Sequence, residues 1–126
     1  MRNIIQGIRY INSKGYMHRD IKPQNILLVN GKTKTDIQFI DFGLGKKINK
    51  KDPRYQKCGT PGFVAPEQFG SSKSLVEYDE KCDVYSAGII LYILLSGQFP
   101  FRSRKYAQLV RQNKLGQIDF ELVTFK

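Results

Sequence analysis

Within eight residues the chain places His18-Arg19-Asp20-Ile21-Lys22-Pro23-Gln24-Asn25, and the apolar run Ile26-Leu27-Leu28-Val29 follows directly. A polar stretch with a proline, set between apolar runs, predicts a rigid loop held open by a buried strand. It offers a carboxylate (Asp20), an ammonium (Lys22) and a carboxamide (Asn25). Asn30-Gly31 predicts a turn, and the second apolar strand Ile37 to Ile40 ends in Asp41-Phe42-Gly43. If the two strands pair as a hairpin, Asn25 and Asp41 arrive at the same end of it. Two oxygen donors side by side suit Mg²⁺, a hard cation that keeps some of its water. Asp20, five residues before Asn25, is close enough to take a proton from an incoming hydroxyl.

Elements must hold these groups in place. Ile4, Ile5, Ile8 and Ile11 recur at helical spacing before Gly15, so the chain opens on an amphipathic helix beneath the polar loop. Val84 to Leu95 is apolar almost all round, which predicts a helix buried on every side and ended by Gly97. A last helix runs through Tyr106, Leu109 and Val110 to Gly116, with Ser103 as its candidate cap. Gly70-Ser71-Ser72-Lys73-Ser74 reads as a loop, and Gln117 to Lys126 carries no pattern. There is no internal repeat and no low-complexity segment.

Composition narrows the class. The 126 residues make one modest domain, 40% hydrophobic and 12% aromatic, which is globular rather than disordered. The 21 Lys and Arg against 11 Asp and Glu give +10, a sign that suits nucleic acid, anionic lipid or phosphate-rich ligands alike. Lys46, Lys47, Lys50, Lys51, Arg54 and Lys57 cluster in the stretch from Asp41 to Glu67. Such blocks are usually solvated loop. Cys58 and Cys82 fit no metal spacing and no disulfide framework, so a reducing, cytoplasmic compartment is expected. Met1-Arg2-Asn3 does not read as a signal peptide, and Ile89 to Leu95 is too short to span a bilayer, so no membrane partner is expected.

His18-Arg19-Asp20 with Asn25, Asp41-Phe42-Gly43 and Ala65-Pro66-Glu67, in this order and spacing, resemble the catalytic loop, magnesium loop and activation-segment end of the eukaryotic protein kinases. The resemblance covers most of the chain. It implies a mainly α (α+β overall) fold, the large lobe of a kinase with a small β-hairpin at its active face, cut at both ends across residues 1–126. It implies Asp20 as the base toward the substrate hydroxyl and Lys22 on the transferring phosphate. Asn25 and Asp41 would hold magnesium, and Leu27 would floor the adenine of ATP. Thr60 would hydrogen-bond near Asp20 and Lys22, and Gly62 and Phe63 would line the pocket for the residue after the phosphoacceptor. His18 is expected to be a packed core histidine.

Lys22-Pro23-Gln24-Asn25 is similar to the serine/threonine branch, since tyrosine-directed members usually lack this lysine. Cys58-Gly59-Thr60-Pro61-Gly62-Phe63 resembles the calmodulin-dependent-kinase-like group. The resemblance also makes Asp83, in Asp83-Val84-Tyr85-Ser86-Ala87-Gly88, a structural carboxylate for the backbone amides around His18 and Arg19. One departure stands at position 56. Many members carry Ser or Thr two residues before this cysteine, where Arg19 would meet its phosphate, and here the residue is Gln56. Tyr55 is then the nearest alternative acceptor. The implied partners are a protein substrate, ATP and Mg²⁺, with a small lobe or regulatory segment supplied from outside these residues. A non-catalytic kinase-like scaffold is the second reading. A nucleic-acid-binding basic domain is the third and is disfavoured, since only Tyr55 is interleaved with the basic cluster.

Overall fold

The computed structural model describes residues 1–29, 36–70 and 75–121. The expected turn at Asn30-Gly31 and Ser71 to Ser74 of the expected loop lie outside the described residues. Among the described residues three α-helices of 12, 16 and 10 residues outweigh strands of two or three residues each. Helix α1 (Arg2–Ser13) buries Ile4 and Ile8, one turn apart. It ends where expected, because Gly15 takes φ 81° and its N–H closes on the Asn12 carbonyl.

Strand β1 (Tyr16–Met17) leads into the polar loop, a 3₁₀ turn at Pro23–Asn25, and strand β2 (Ile26–Leu28). Strand β3 (Ile37–Phe39) pairs antiparallel with β2, Ile26 opposite Phe39 and Leu28 opposite Ile37. The Phe39 ring lies against α1 at Gly7, where a side chain of any size would collide with it. That contact anchors the hairpin on the helix. The stretch expected to be solvated loop is instead partly strand. Strand β4 (Lys46–Lys47) pairs with β1, and β5 (Arg54–Gln56) pairs with β6 (Leu75–Glu77).

Helix α2 (Lys81–Ser96) runs through the core. Ala87, Ile89 and Ile90 join Ile4, Ile8, Ile21 and Phe63 in one cluster, tying α1, the polar loop and α2 together. Each such isoleucine contributes about 1.5–3 kcal/mol by burial. Met17, Tyr55, Ala65, Val76, Tyr78 and Cys82 form a second cluster.

The expectation that α2 is buried on every side is not met. Val84, Leu91, Leu94 and Leu95 are exposed, Leu94 at 65% and Leu95 at 50%. The described residues cover the rest of the helix and leave this stripe open. Gly97, at φ 67°, ends it as expected. Helix α3 (Tyr106–Leu115) is also correct in place, but Ser103 is not its cap. Ser103 Oγ accepts the Lys105 N–H at 3.0 Å, one step ahead of the helix, and no side chain caps the N-terminus.

Candidate active site

The hairpin brings the two oxygen donors to one end. With Ile26 opposite Phe39, the next bond outward is Ile40 N–H to the Asn25 carbonyl at 3.0 Å, so Asn25 and Asp41 leave the sheet together. His18 ties the polar loop to the same place. It is fully buried, its Nε2–H donates to the Ile40 carbonyl at 3.0 Å, and its Nδ1 accepts the Asp20 N–H at 3.3 Å. In that arrangement Nε2 is the donor and Nδ1 the acceptor. A ring so occupied is a packed core histidine, as the sequence reading had it.

Asp83 holds the loop from beneath. Its two carboxylate oxygens accept the backbone N–H groups of His18 and Arg19, each at 2.8 Å. Burial pushes its pKa up, and the two N–H bonds oppose that push without cancelling it. The bond to Arg19 matters because Arg19 sits at φ 66°, left-handed backbone that a long side chain seldom adopts. Its side chain adds two more constraints, Nε–H to the Leu44 carbonyl at 2.7 Å and Nη1–H to the Tyr78 hydroxyl at 2.8 Å. Tyr78 in turn donates to the Gln56 carbonyl at 2.9 Å. The arginine is thus tied to the backbone of position 56 through a tyrosine hydroxyl.

Asp20 is the centre of the site. Oδ1 accepts from Thr60 Oγ1 at 2.6 Å, while Oδ2 accepts from Lys22 Nζ at 2.8 Å and Asn25 Nδ2 at 3.1 Å. Lys22 Nζ also donates to Thr60 Oγ1 at 2.7 Å, which closes a triangle of carboxylate, ammonium and hydroxyl. Burial raises the Asp20 pKa, but the bonds from Lys22, Thr60 and Asn25 and the lysine charge outweigh it, so the carboxyl lies below the usual range. Asp20 is therefore ionised at neutral pH.

Asn25 is buried, and its Nδ2 also donates to the Asp20 carbonyl at 2.8 Å. With the nitrogen committed there, Oδ1 is the atom it can offer a cation. Asp41 is exposed, at φ 61°, with Oδ1 accepting the Gly43 N–H at 3.2 Å. Among the described residues no three His, Cys, Asp or Glu cluster as a metal site. One carboxylate and one carboxamide form too small a set for zinc, but they fit Mg²⁺, which completes its shell with water and phosphate oxygens.

Leu27 is exposed on β2, opposite Gln38. Gly62 and Phe63 are buried, Phe63 within the main core cluster and edge-on to Phe99 at 6.4 Å. Tyr55 is not an available acceptor. It is buried, with its hydroxyl accepting the Asn49 N–H at 2.7 Å, which also removes the one aromatic interleaved with the basic cluster from base stacking. The sequence reading missed the bridging role of Tyr78, and it missed Ser86 and Asn113. Ser86 Oγ donates to the Phe63 carbonyl at 2.9 Å, and Asn113 bonds Gly62 and Val64. No local pattern marks any of the three. Cys58 and Cys82 are free thiols, and no helix among the described residues is long and apolar enough to cross a membrane.

An ionised aspartate braced by lysine and threonine, beside paired oxygen donors at a hairpin end, is a constellation suited to phosphoryl transfer. Comparison with known proteins agrees. The protein kinase domain model matches residues 1–124. Calcium-dependent protein kinase 4 of Plasmodium falciparum is 39% identical over 128 residues, covering 100% of this chain and 23% of its own. Calcium-dependent protein kinase 5 of Plasmodium berghei is 36% identical over 121 residues, covering 96% and 21%. MAP kinase-activated protein kinase 2 of Oryctolagus cuniculus is 40% identical over 103 residues, covering 82% and 27%. The chain belongs to the protein kinase family. It spans between about a fifth and about a quarter of the length of these curated relatives, and the resemblance to the calmodulin-dependent-kinase-like group is in keeping with them.

Proposed function

We propose that these residues form part of the large lobe of a protein serine/threonine kinase that transfers the terminal phosphate of ATP to a protein hydroxyl. The observation that carries this reading is the Asp20–Lys22–Thr60 triangle. Asp20 orients the acceptor hydroxyl and takes its proton, and its low pKa keeps it ready at neutral pH. Lys22, within 2.8 Å of that carboxylate, lies where it can also meet a transferring phosphate. Asn25 and Asp41 would hold magnesium, and Leu27 would floor the adenine. Bound Mg-ATP supplies the phosphoryl group and the cation that neutralises its charge.

Lys22 and Thr60 both engage Asp20, which supports Ser/Thr over Tyr as acceptor. The presence of Asp20, Lys22, Asn25 and Asp41 together favours an enzyme over a scaffold, since a scaffold needs none of the four. The substrate is a protein, and the compartment is a reducing, cytoplasmic one. The isolated 126 residues bind Mg-ATP weakly and transfer phosphate negligibly, because Leu27 and Asp41 are open to water, which screens each charged contact.

The test is transfer from radiolabelled ATP by the longest natural polypeptide carrying this sequence, followed by phosphoamino-acid analysis. Phosphoserine and phosphothreonine are expected, with Asp20→Asn at background. Phosphotyrosine as the main product would overturn the reading.

A further inference from the structure

Helix α3 is largely exposed, and its one buried residue is an asparagine. Asn113 is 0% exposed. A buried carboxamide without partners is costly, and this one spends both ends on backbone. Oδ1 accepts the Gly62 N–H at 2.7 Å, and Nδ2 donates to the Val64 carbonyl at 2.7 Å. The two bonds bracket Phe63. Gly62 sits at φ 99°, a conformation that a side chain would strain, so the bond also fixes a backbone shape with few alternatives.

Gly62 to Ala65 is buried and belongs to no sheet. Its backbone groups must find partners elsewhere. Phe63 N–H meets the Thr60 carbonyl at 3.0 Å, the Phe63 carbonyl meets Ser86 Oγ at 2.9 Å, and Ala65 N–H meets Gln68 Oε1 at 3.1 Å. Thr60, at the start of the same segment, is bound to Asp20 and Lys22. The segment is therefore held at one end by the catalytic carboxylate and along its length by side chains. Asn113 is the brace that comes from a separate, otherwise exposed helix.

We propose that Asn113 is a positioning residue for peptide selection. It holds Gly62 to Val64 in the shape that receives the residue after the phosphoacceptor, and so couples α3 to substrate choice. This rests on the reading of Gly62 and Phe63 as lining that pocket. Asn113 touches neither Asp20 nor the magnesium-side pair Asn25 and Asp41, so its loss acts on the peptide and not on nucleotide.

The experiment uses the isotope-labelled 126-residue chain, titrated with two serine peptides that differ only in the residue after the serine, leucine or lysine. Asn113→Leu keeps the volume and removes both bonds. The Gly62 amide should exchange at least roughly tenfold faster, and the ratio of the two peptide affinities should fall toward one. Shifts induced by Mg-ATP at Asn25 and Asp41 should stay as they were. Asn113→Asp still accepts from Gly62 but cannot donate to Val64, so it should recover the Gly62 protection. Leu109→Ala, which trims one apolar contact of α3 with the core and removes neither clamp bond, should lower thermal stability and leave the ratio unchanged. An unchanged affinity ratio in Asn113→Leu despite faster exchange would overturn the proposal, and so would unchanged exchange. If neither peptide shifts Gly62 or Phe63 in the unsubstituted chain, the pocket reading fails and the proposal with it. Exchange at Gly62 shows separately whether the clamp itself stands.

Discussion

The Thr60 hydroxyl lies 2.6 Å from Asp20 Oδ1, across 40 residues of chain, and it is the contact through which the activation segment touches the candidate base. Thr60 to Ala cuts that contact and also strips Lys22 Nζ of one of its two partners. Each lost bond to a charged group is worth about 1.5–3 kcal/mol. In an active form, Thr60→Ala should lower kcat by at least roughly tenfold and leave the KM for ATP little changed, because Thr60 bonds Asp20 and Lys22 and neither of the magnesium oxygens. Steady-state kinetics decide this, and an effect confined to the KM for ATP would contradict the triangle.

Two aspartates should titrate on opposite sides of the ordinary carboxyl pKa of 3.8. Asp20 is lowered, so its ionised form stabilises the fold above 3.8, and that contribution is lost as pH falls through its folded pKa. Asp83 is raised, because the fold holds its proton more tightly than the unfolded chain does. Its contribution is fully present below 3.8 and is lost as pH rises through its folded pKa. Carbon-13 carboxyl titration by NMR checks both. Asp20 titrating above Asp83 would refute the assignment.

Asp83→Asn should destabilise the chain by about 1–3 kcal/mol. An amide presents one oxygen to two N–H donors, and its NH₂ faces the second of them. The loop at Arg19 should loosen first, since its φ of 66° needs support. Urea denaturation and amide exchange at His18 and Arg19 measure this. Unchanged protection at both amides would show that Asp83 does not carry the loop.

With Gln56 at this position, activity should not depend on phosphorylation there; Arg19 donates to the Tyr78 hydroxyl, which donates to the Gln56 carbonyl. Tyr78→Phe should cost about 1–2 kcal/mol by leaving the Gln56 carbonyl and an Arg19 donor unmatched. Phosphatase treatment of an active form should not abolish activity. A loss that maps to residues 46–57 would overturn this.

The exposed stripe Val84, Leu91, Leu94 and Leu95 on α2 should make the 126-residue chain self-associate. Leu94→Lys with Leu95→Lys should shift it toward monomer in sedimentation velocity without unfolding it. A chain that is monomeric at high concentration before substitution would contradict the expectation.

Much of the site was legible because its spacing is local. Asn25 and Asp41 come to the same end of the hairpin because β2 and β3 pair in the register that the flanking apolar runs dictate, and α1 shows in the repeat of its isoleucines and in Gly15. Asp83 was legible only through the family resemblance, since its partners are 64 and 65 residues away. Tyr78 and Asn113 were not legible at all. Each is a polar side chain whose meaning lies in a backbone group on a distant segment, and neither periodicity nor composition records such a pair. The surroundings of α2 were misread because an apolar sequence fixes how a helix would like to be covered, not what covers it.

The most direct measurement is paramagnetic broadening of the amide spectrum by Mn²⁺ with ATP, which reports weak binding that turnover would miss. The account predicts selective broadening at Asn25, Ile40 and Asp41, abolished by Asp41→Ala. Broadening centred on the basic residues from Lys46 to Lys57, or unchanged in Asp41→Ala, would contradict it.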